Sequence, residues 1–323
     1  MLLRNPPDFR AARKNGRESM QKQRSISRSV ILEGRNIFWG TKNSAAFHPA
    51  EDDSGVIFVV GKNRKIPATL ETAFNYRRLS GSCVAVKNDK GMAIKVEHVL
   101  AALYVLGIDN VVVELSDGLC PRLDGSISKF ITTLSPLLKE GTRSKRLITI
   151  RDGLPSGLCT ITAPERPDRL TVRRTRGTFL RYESGYGYKA VGVQRFTIPL
   201  SEEGAKAVMY ARPIFFLPFG SRLFIDWFSW LHGITDENAL FIGPPDRGDF
   251  ANSGSTYDPD EFVKHKVIDA IGVLSLLGGF FIDTEFSYYR TGHAFDLAAL
   301  RTLASRNVFT TATQDCTGFT GKA

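Results

Sequence analysis

Three of the chain's five histidines lie beside residues that suit metal or proton chemistry. His265 and Asp269 fall in a segment, 260–272, whose apolar positions 262, 263, 267, 268 and 271 recur on one side at helical spacing. Four residues apart on a helix, the imidazole and the carboxylate project from one face. They can share a divalent cation there, with Lys266 beside them. Val96-Glu97-His98 offers a further ligand at a predicted helix start. Two histidines and one carboxylate make a catalytic zinc set that leaves a fourth position for water. A cation so held lowers the pKa of the water and polarises a carbonyl. Glu97 is then the carboxylate available as general base. His293 follows Gly292 on a tight strand-to-helix turn and can protonate a leaving group, while Lys266 can offset charge developing on oxygen. A lone histidine is more often a packing residue, which suits His48 and His232. Spacing alone does not bring the three segments together in space.

The elements that must position these groups alternate between strand and helix patterns. Strands are predicted at 26–33 and 56–60, and a hairpin around Asn88-Asp89-Lys90-Gly91. A buried helix follows over 96–106, closed by Gly107, then a β-branched strand at 111–115. Asp124 or Ser126 is a candidate cap for a second helix over 128–138. Polarity jumps across 139–145, where the domain boundary is expected, giving a first domain of 26–142 and a second of 143–323. The second opens on a strand at 147–150 and continues through strand-like runs at 158–163, 169–173 and 190–199. A short helix is expected at 201–209. Aromatic residues are dense over 213–231, packing rings one by one but as a block a candidate apolar slot. A strand at 280–289 and a helix at 295–303 close the pattern.

At 323 residues and 42% hydrophobic, the chain can bury sizeable cores and is expected to make two domains. Cys83, Cys120, Cys159 and Cys316 are scattered, which argues against a cysteine-based zinc site or a disulfide framework and for a reducing compartment. No run has the length of a membrane span, and no signal-peptide core follows the N-terminal charges. A cytoplasmic location is expected. Much of the net charge of +10 sits in Arg4, Arg10, Arg13, Lys14, Arg17, Lys22, Arg24 and Arg28, against only Asp8 and Glu18. Residues 1–25 read as a disordered basic tail. An organelle-targeting segment, leading to an organelle matrix, is the alternative, although an amphipathic apolar face is lacking. Basic surface elsewhere suits an anionic ligand, a phosphate or a lipid headgroup. No binding module or basic–aromatic repeat supports nucleic acid, and none is expected.

Several motifs then resemble a known family. They are Lys95-Val96-Glu97-His98-Val99-Leu100-Ala101-Ala102-Leu103, Leu106-Gly107-Ile108-Asp109-Asn110 and Leu123-Asp124-Gly125-Ser126, followed by the run from Phe262 through His265 and Asp269 to Gly272, and Thr291-Gly292-His293-Ala294. In type and order they are similar to UDP-3-O-acyl-N-acetylglucosamine deacetylase, the zinc amidase of lipid A biosynthesis, over about residues 25 to 305. The resemblance implies an α+β fold of two similar domains, each a β-sheet with a helix pair, the helices packed between the two sheets. It implies His98, His265 and Asp269 as zinc ligands, Glu97 as general base, His293 as general acid and Lys266 at the oxyanion. It also implies an acylated UDP-N-acetylglucosamine as substrate, its acyl chain in a passage formed by an insert of the second domain, with peripheral contact to acyl chains or a membrane surface. Ferrous iron suits the same donors.

The departures are as informative. Gly272-Val273 stands where the family has Gly-Asp, whose aspartate is expected to orient the catalytic histidine. Ala211-Arg212-Pro213-Ile214 stands where the family has Ala-Arg-Thr-Phe, so a hydroxyl and a backbone N–H are both missing. Gly34-Arg35-Asn36-Ile37-Phe38-Trp39-Gly40 lacks the family's histidine, and 214–231 is richer in aromatic rings. Two alternatives follow: a deacetylase of a different acylated amino sugar, or an impaired homologue that binds metal or nucleotide-sugar without turnover.

Overall fold

A computed structural model of the chain describes residues 22–78, 81–154, 157–185, 187–216, 234–235, 237–243 and 258–312. The basic stretch 1–21, most of the aromatic block, His232 and Cys316 lie outside the described residues. Two five-stranded sheets frame the molecule. In the first the strands lie in the order Val30–Arg35, Lys42–Pro49, Val111–Leu115, Val56–Val60, Arg64–Pro67. In the second the order is Leu158–Thr162, Arg169–Arg174, Thr284–Tyr289, Phe179–Glu183, Arg195–Pro199. Both follow one plan. The strand latest in sequence enters the centre, antiparallel to the second strand and parallel to the third.

Helices flank that central strand in both repeats. Helix α1 (Glu97–Val105) precedes it and α2 (Ser128–Leu134) follows it in the first repeat. After the short α3 (Glu202–Lys206), helices α4 (Glu261–Leu274) and α5 (His293–Ser305) take the same places in the second. The chain therefore runs β-β-β-β-α-β-α twice, with an insert after the fourth strand each time. The first insert is a three-stranded sheet containing the predicted hairpin, Gly81–Lys87 against Met92–Ile94. The second includes a parallel pair, Ile214–Phe216 with Leu240–Ile242.

Alternation along the strands sends one side inward: in Lys42–Pro49 the buried residues are Asn43, Ala45 and Phe47. One continuous core runs from Phe47, Phe58 and Val113 of the first sheet, through Leu100, Leu103, Val267, Ile268 and Ile271 of α1 and α4, to Val172, Leu180 and Phe286 of the second. Nearly every residue of α1 and α4 is buried, as befits helices clasped between layers. The two cross closely because of Gly272. A Cβ at that position would overlap the Glu97 carbonyl oxygen. The Phe281 backbone N–H donates to the Tyr104 hydroxyl at 3.0 Å, tying α1 to the second repeat.

Some elements differ from the sequence reading. Residues 139–145 form most of a strand, Leu138–Ser144, paired antiparallel with Lys22–Ile26, so residues 22–25, read as part of the tail, are strand. Helix α2 stops at Leu134 and tightens into a 3-10 turn at Ser135–Leu137, where Pro136 cannot continue the α-helical bonding. The cap position is Ile127, whose side chain makes no cap bond, while Ser126 Oγ accepts the N–H of Ser128, the first helical residue, at 3.0 Å. Asp124 instead accepts from Ser126 N–H at 3.1 Å and from Ser128 Oγ at 2.7 Å, fixing the turn before the helix. The strand expected over 280–289 is broken at Asp283, whose φ is +46°.

Candidate metal centre

Glu97 opens α1 and His98 follows it, behind Lys95, whose φ of +60° places it in the left-handed region. Strain of this kind in a non-glycine residue is found preferentially at functional sites. The crossing at Gly272 sets this first turn against α4, where His265 and Asp269 share a face. His98 Nε2 lies 3.3 Å from His265 Nε2 and 3.7 Å from Asp269 Oδ1. His265 Nδ1 lies 3.6 Å from Asp269 Oδ2. One donor atom from each of the three falls within 4.8 Å of the other two. His293, the first residue of α5, brings Nε2 to 3.7 Å from Asp269 Oδ2, and Lys266 Nζ donates to the same oxygen at 2.8 Å. The structure thus gathers all six residues singled out in the sequence: Glu97, His98, His265, Lys266, Asp269 and His293.

The site's electrostatics suit a cation. Burial pushes the His265 imidazole well below its ordinary range against the pull of Asp269, leaving it neutral with a lone pair to offer. Burial would raise the Asp269 carboxyl, but His265, Lys266, His293 and the nearby His98 together hold it well below the usual range. Two donor atoms of this group, His265 Nδ1 and Asp269 Oδ1, are buried with no hydrogen-bond partner. Orphaned atoms on a neutral imidazole and a carboxylate fit a divalent ion. Burial also lowers the His293 imidazole, with Asp269 opposing.

Glu97 is almost fully buried, and both its oxygens are held. Oε2 accepts the Val84 backbone N–H at 3.0 Å, and Lys95 Nζ stands 3.6 Å from Oε1. Lys95 stood in the motif without a role, because its strained backbone is visible only in three dimensions. A cleft opens beside Glu97 and His98 and is lined further by Lys95, Cys120, Arg122 and Pro213. Pro213 forms its wall where a hydroxyl was the alternative, against Gly125, whose φ is +82° and where a Cβ would overlap the Asn238 carbonyl. Arg122 was also missed. Its guanidinium is buried, donates once to the Asn238 carbonyl at 2.6 Å, and leaves Nε and Nη1 without partners. The insert bearing Pro213 is anchored by Arg212, which donates to the buried Glu261 carboxylate at the start of α4 through Nε at 2.7 Å and Nη2 at 2.8 Å.

A buried carboxylate beside two imidazoles and a second carboxylate, at the crossing of two repeats, is the arrangement of a hydrolase that works with a metal ion. The comparisons narrow that class. The LpxC family, UDP-3-O-acyl N-acetylglycosamine deacetylase, matches residues 23–305, and the chain belongs to it. The UDP-3-O-acyl-N-acetylglucosamine deacetylase of Brucella melitensis biotype 2 is 31% identical over 288 residues, covering 88% of this chain and 95% of that protein. Those of Brucella ovis and Brucella abortus strain S19 are each 30% identical over the same shares. Family membership makes this an amide hydrolase with a two-domain α+β fold. Among the described residues, no helix is long and apolar enough to cross a membrane.

Proposed function

We propose that the protein removes the N-acetyl group of a UDP-3-O-acyl-N-acetylglucosamine, releasing acetate and a free amine for lipid A biosynthesis. The observation that carries this reading is the convergence of His98, His265 and Asp269 beside the buried Glu97. Those three residues would hold zinc, or ferrous iron in its stead. When bound, the ion supplies positive charge that acidifies a water molecule and polarises the acetyl carbonyl. Glu97 takes a proton from that water as its oxygen bonds to the acetyl carbon. Lys266 offsets the charge that develops on the carbonyl oxygen. His293, steadied by Asp269 at 3.7 Å, protonates the sugar nitrogen as the C–N bond breaks. The proton on Glu97 then returns to His293, directly or through water. The cleft beside Glu97 is the entry for the acylated substrate, with peripheral contact to acyl chains at its mouth. We assign the reaction to the cytoplasm, and divide the two repeats near residue 142.

Replacing the base tests this scheme against replacing ligands. Glu97→Ala is expected to lower kcat by roughly 100-fold or more while metal content stays near that of the wild type. His98→Ala and Asp269→Ala are expected to lose the metal as well, measured by elemental analysis alongside amine release. A Glu97→Ala protein with full activity would sink the assignment of the base.

A further inference from the structure

Beside the metal-type cluster lies a buried carboxylate for which the reaction scheme has no use. His293 turns Nε2 to Asp269, but its other nitrogen, Nδ1, is buried with no hydrogen-bond partner. An imidazole that moves protons through one nitrogen is fixed in tautomer and orientation by what its other nitrogen bonds. Helix α4 supplies no such acceptor. Val273, one turn beyond Asp269 on the same face, is fully buried and has no polar side-chain atom. Helix α5 does supply one. Asp296 lies one turn beyond His293 on the same face and is fully buried.

Neither carboxylate oxygen of Asp296 meets ordinary hydrogen-bond geometry, the Thr291 side chain offering it only a looser bond. Lys266 and Asp269 of the cluster and Asp168 act on it electrostatically. Tyr288, whose own hydroxyl is buried without a partner, feels Asp296 from the strand side. A buried carboxylate so poorly satisfied is costly, and it stands one helical turn from an imidazole nitrogen that lacks an acceptor. Helical side chains lean toward the N-terminus, which turns Asp296 back toward His293 at the first position of α5. At this spacing Cβ atoms stand about 5–6 Å apart; the two side chains do not bond as they stand, so the carboxylate reaches Nδ1 by a side-chain rotation.

We propose that Asp296 is the positioning residue for His293, its carboxylate accepting from Nδ1–H so that Nε2 is held toward the reacting nitrogen. This rests on the deacetylase reading, and it makes α5 supply both the acid and its orienter. The apolar Val273 is then no defect, because the carboxylate stands on the neighbouring helix.

A double-mutant cycle on the metal-loaded full-length protein tests it, with kcat, KM and metal content measured for Asp296→Asn, His293→Ala and the double variant. Asp296→Asn is expected to lower kcat roughly 10- to 100-fold, with KM within about twofold and metal content unchanged. In the His293→Ala background the same change is expected to cost nothing further. Adding Val273→Asp to Asp296→Asn returns a carboxylate from α4 and is expected to recover part of kcat, whereas in the wild type it gives no gain. Because Val273 is fully buried, melting curves check that variant, and the cycle decides the matter if it does not fold. An unchanged kcat in Asp296→Asn, or an equal loss with and without His293, would overturn the proposal and leave Asp296 as a partner of Tyr288. A wild-type protein that holds metal but shows no turnover would overturn the deacetylase reading and this inference with it.

Discussion

At the scale of single residues, Arg122 carries a charge that the fold does not neutralise. Burial alone pushes its guanidinium down to about 9, and its face lies 5.3 Å from the centre of the Phe215 ring. Taking a charge out of water costs several kcal/mol that only a partner repays, so an apolar residue of similar size removes that cost. A cost of that kind in a cleft beside Glu97 and His98 points to use on an anionic substrate. Arg122→Met is therefore expected to melt at or above the wild-type temperature while raising KM for the UDP-sugar by roughly tenfold, the worth of one charged hydrogen bond. A lower melting temperature with unchanged KM would make Arg122 a structural residue. The sequence announced His265 with Asp269, and Glu97 with His98, because those pairs are local and helical periodicity aligns them. It gave no role to Arg122, Lys95 or Asp296, whose meaning comes from burial, backbone strain and poorly met bonding, none of which has a local signature.

At the scale of elements, the centre depends on how α1 meets α4. Gly272 has no side chain where the Glu97 backbone passes, so the two helices come close enough for His98 to face His265 and Asp269. Gly272→Ala is expected to lower stability by about 1–3 kcal/mol, as overpacking does, and to weaken metal binding by spreading the ligands. Thermal melting and a chelator-competition titration would check both effects, and unchanged metal affinity would detach the crossing from the site. The helices were legible in outline: α1 and α4 match the predicted spans to within a residue or two at most ends. Strand Leu138–Ser144 was not, because its charged, glycine-containing sequence has no strand alternation and is held in place by pairing with Lys22–Ile26.

At the scale of the whole molecule, a repeated β-β-β-β-α-β-α plan brings the chemistry of two repeats to one junction. The first repeat supplies Glu97 and His98 from α1, and the second supplies His265, Lys266 and Asp269 from α4 and His293 from α5. The equivalence of the two sheets was not visible as a sequence repeat. It entered through the resemblance to the family, and the matching strand orders now give it a structural basis. Because the ligands come from both repeats, metal binding and the packing of the repeats are thermodynamically linked, as for any ligand that binds only the folded state.

The decisive assay follows free amine released from UDP-3-O-acyl-N-acetylglucosamine by protein purified with its native metal, before chelation, after chelation, and after zinc is restored. A metal-assisted deacetylase is expected to carry about one ion per chain, to lose turnover with the ion, and to regain it on readdition. Turnover that survives complete removal of the metal would contradict the mechanism, and metal-replete protein that releases no amine would contradict the activity itself.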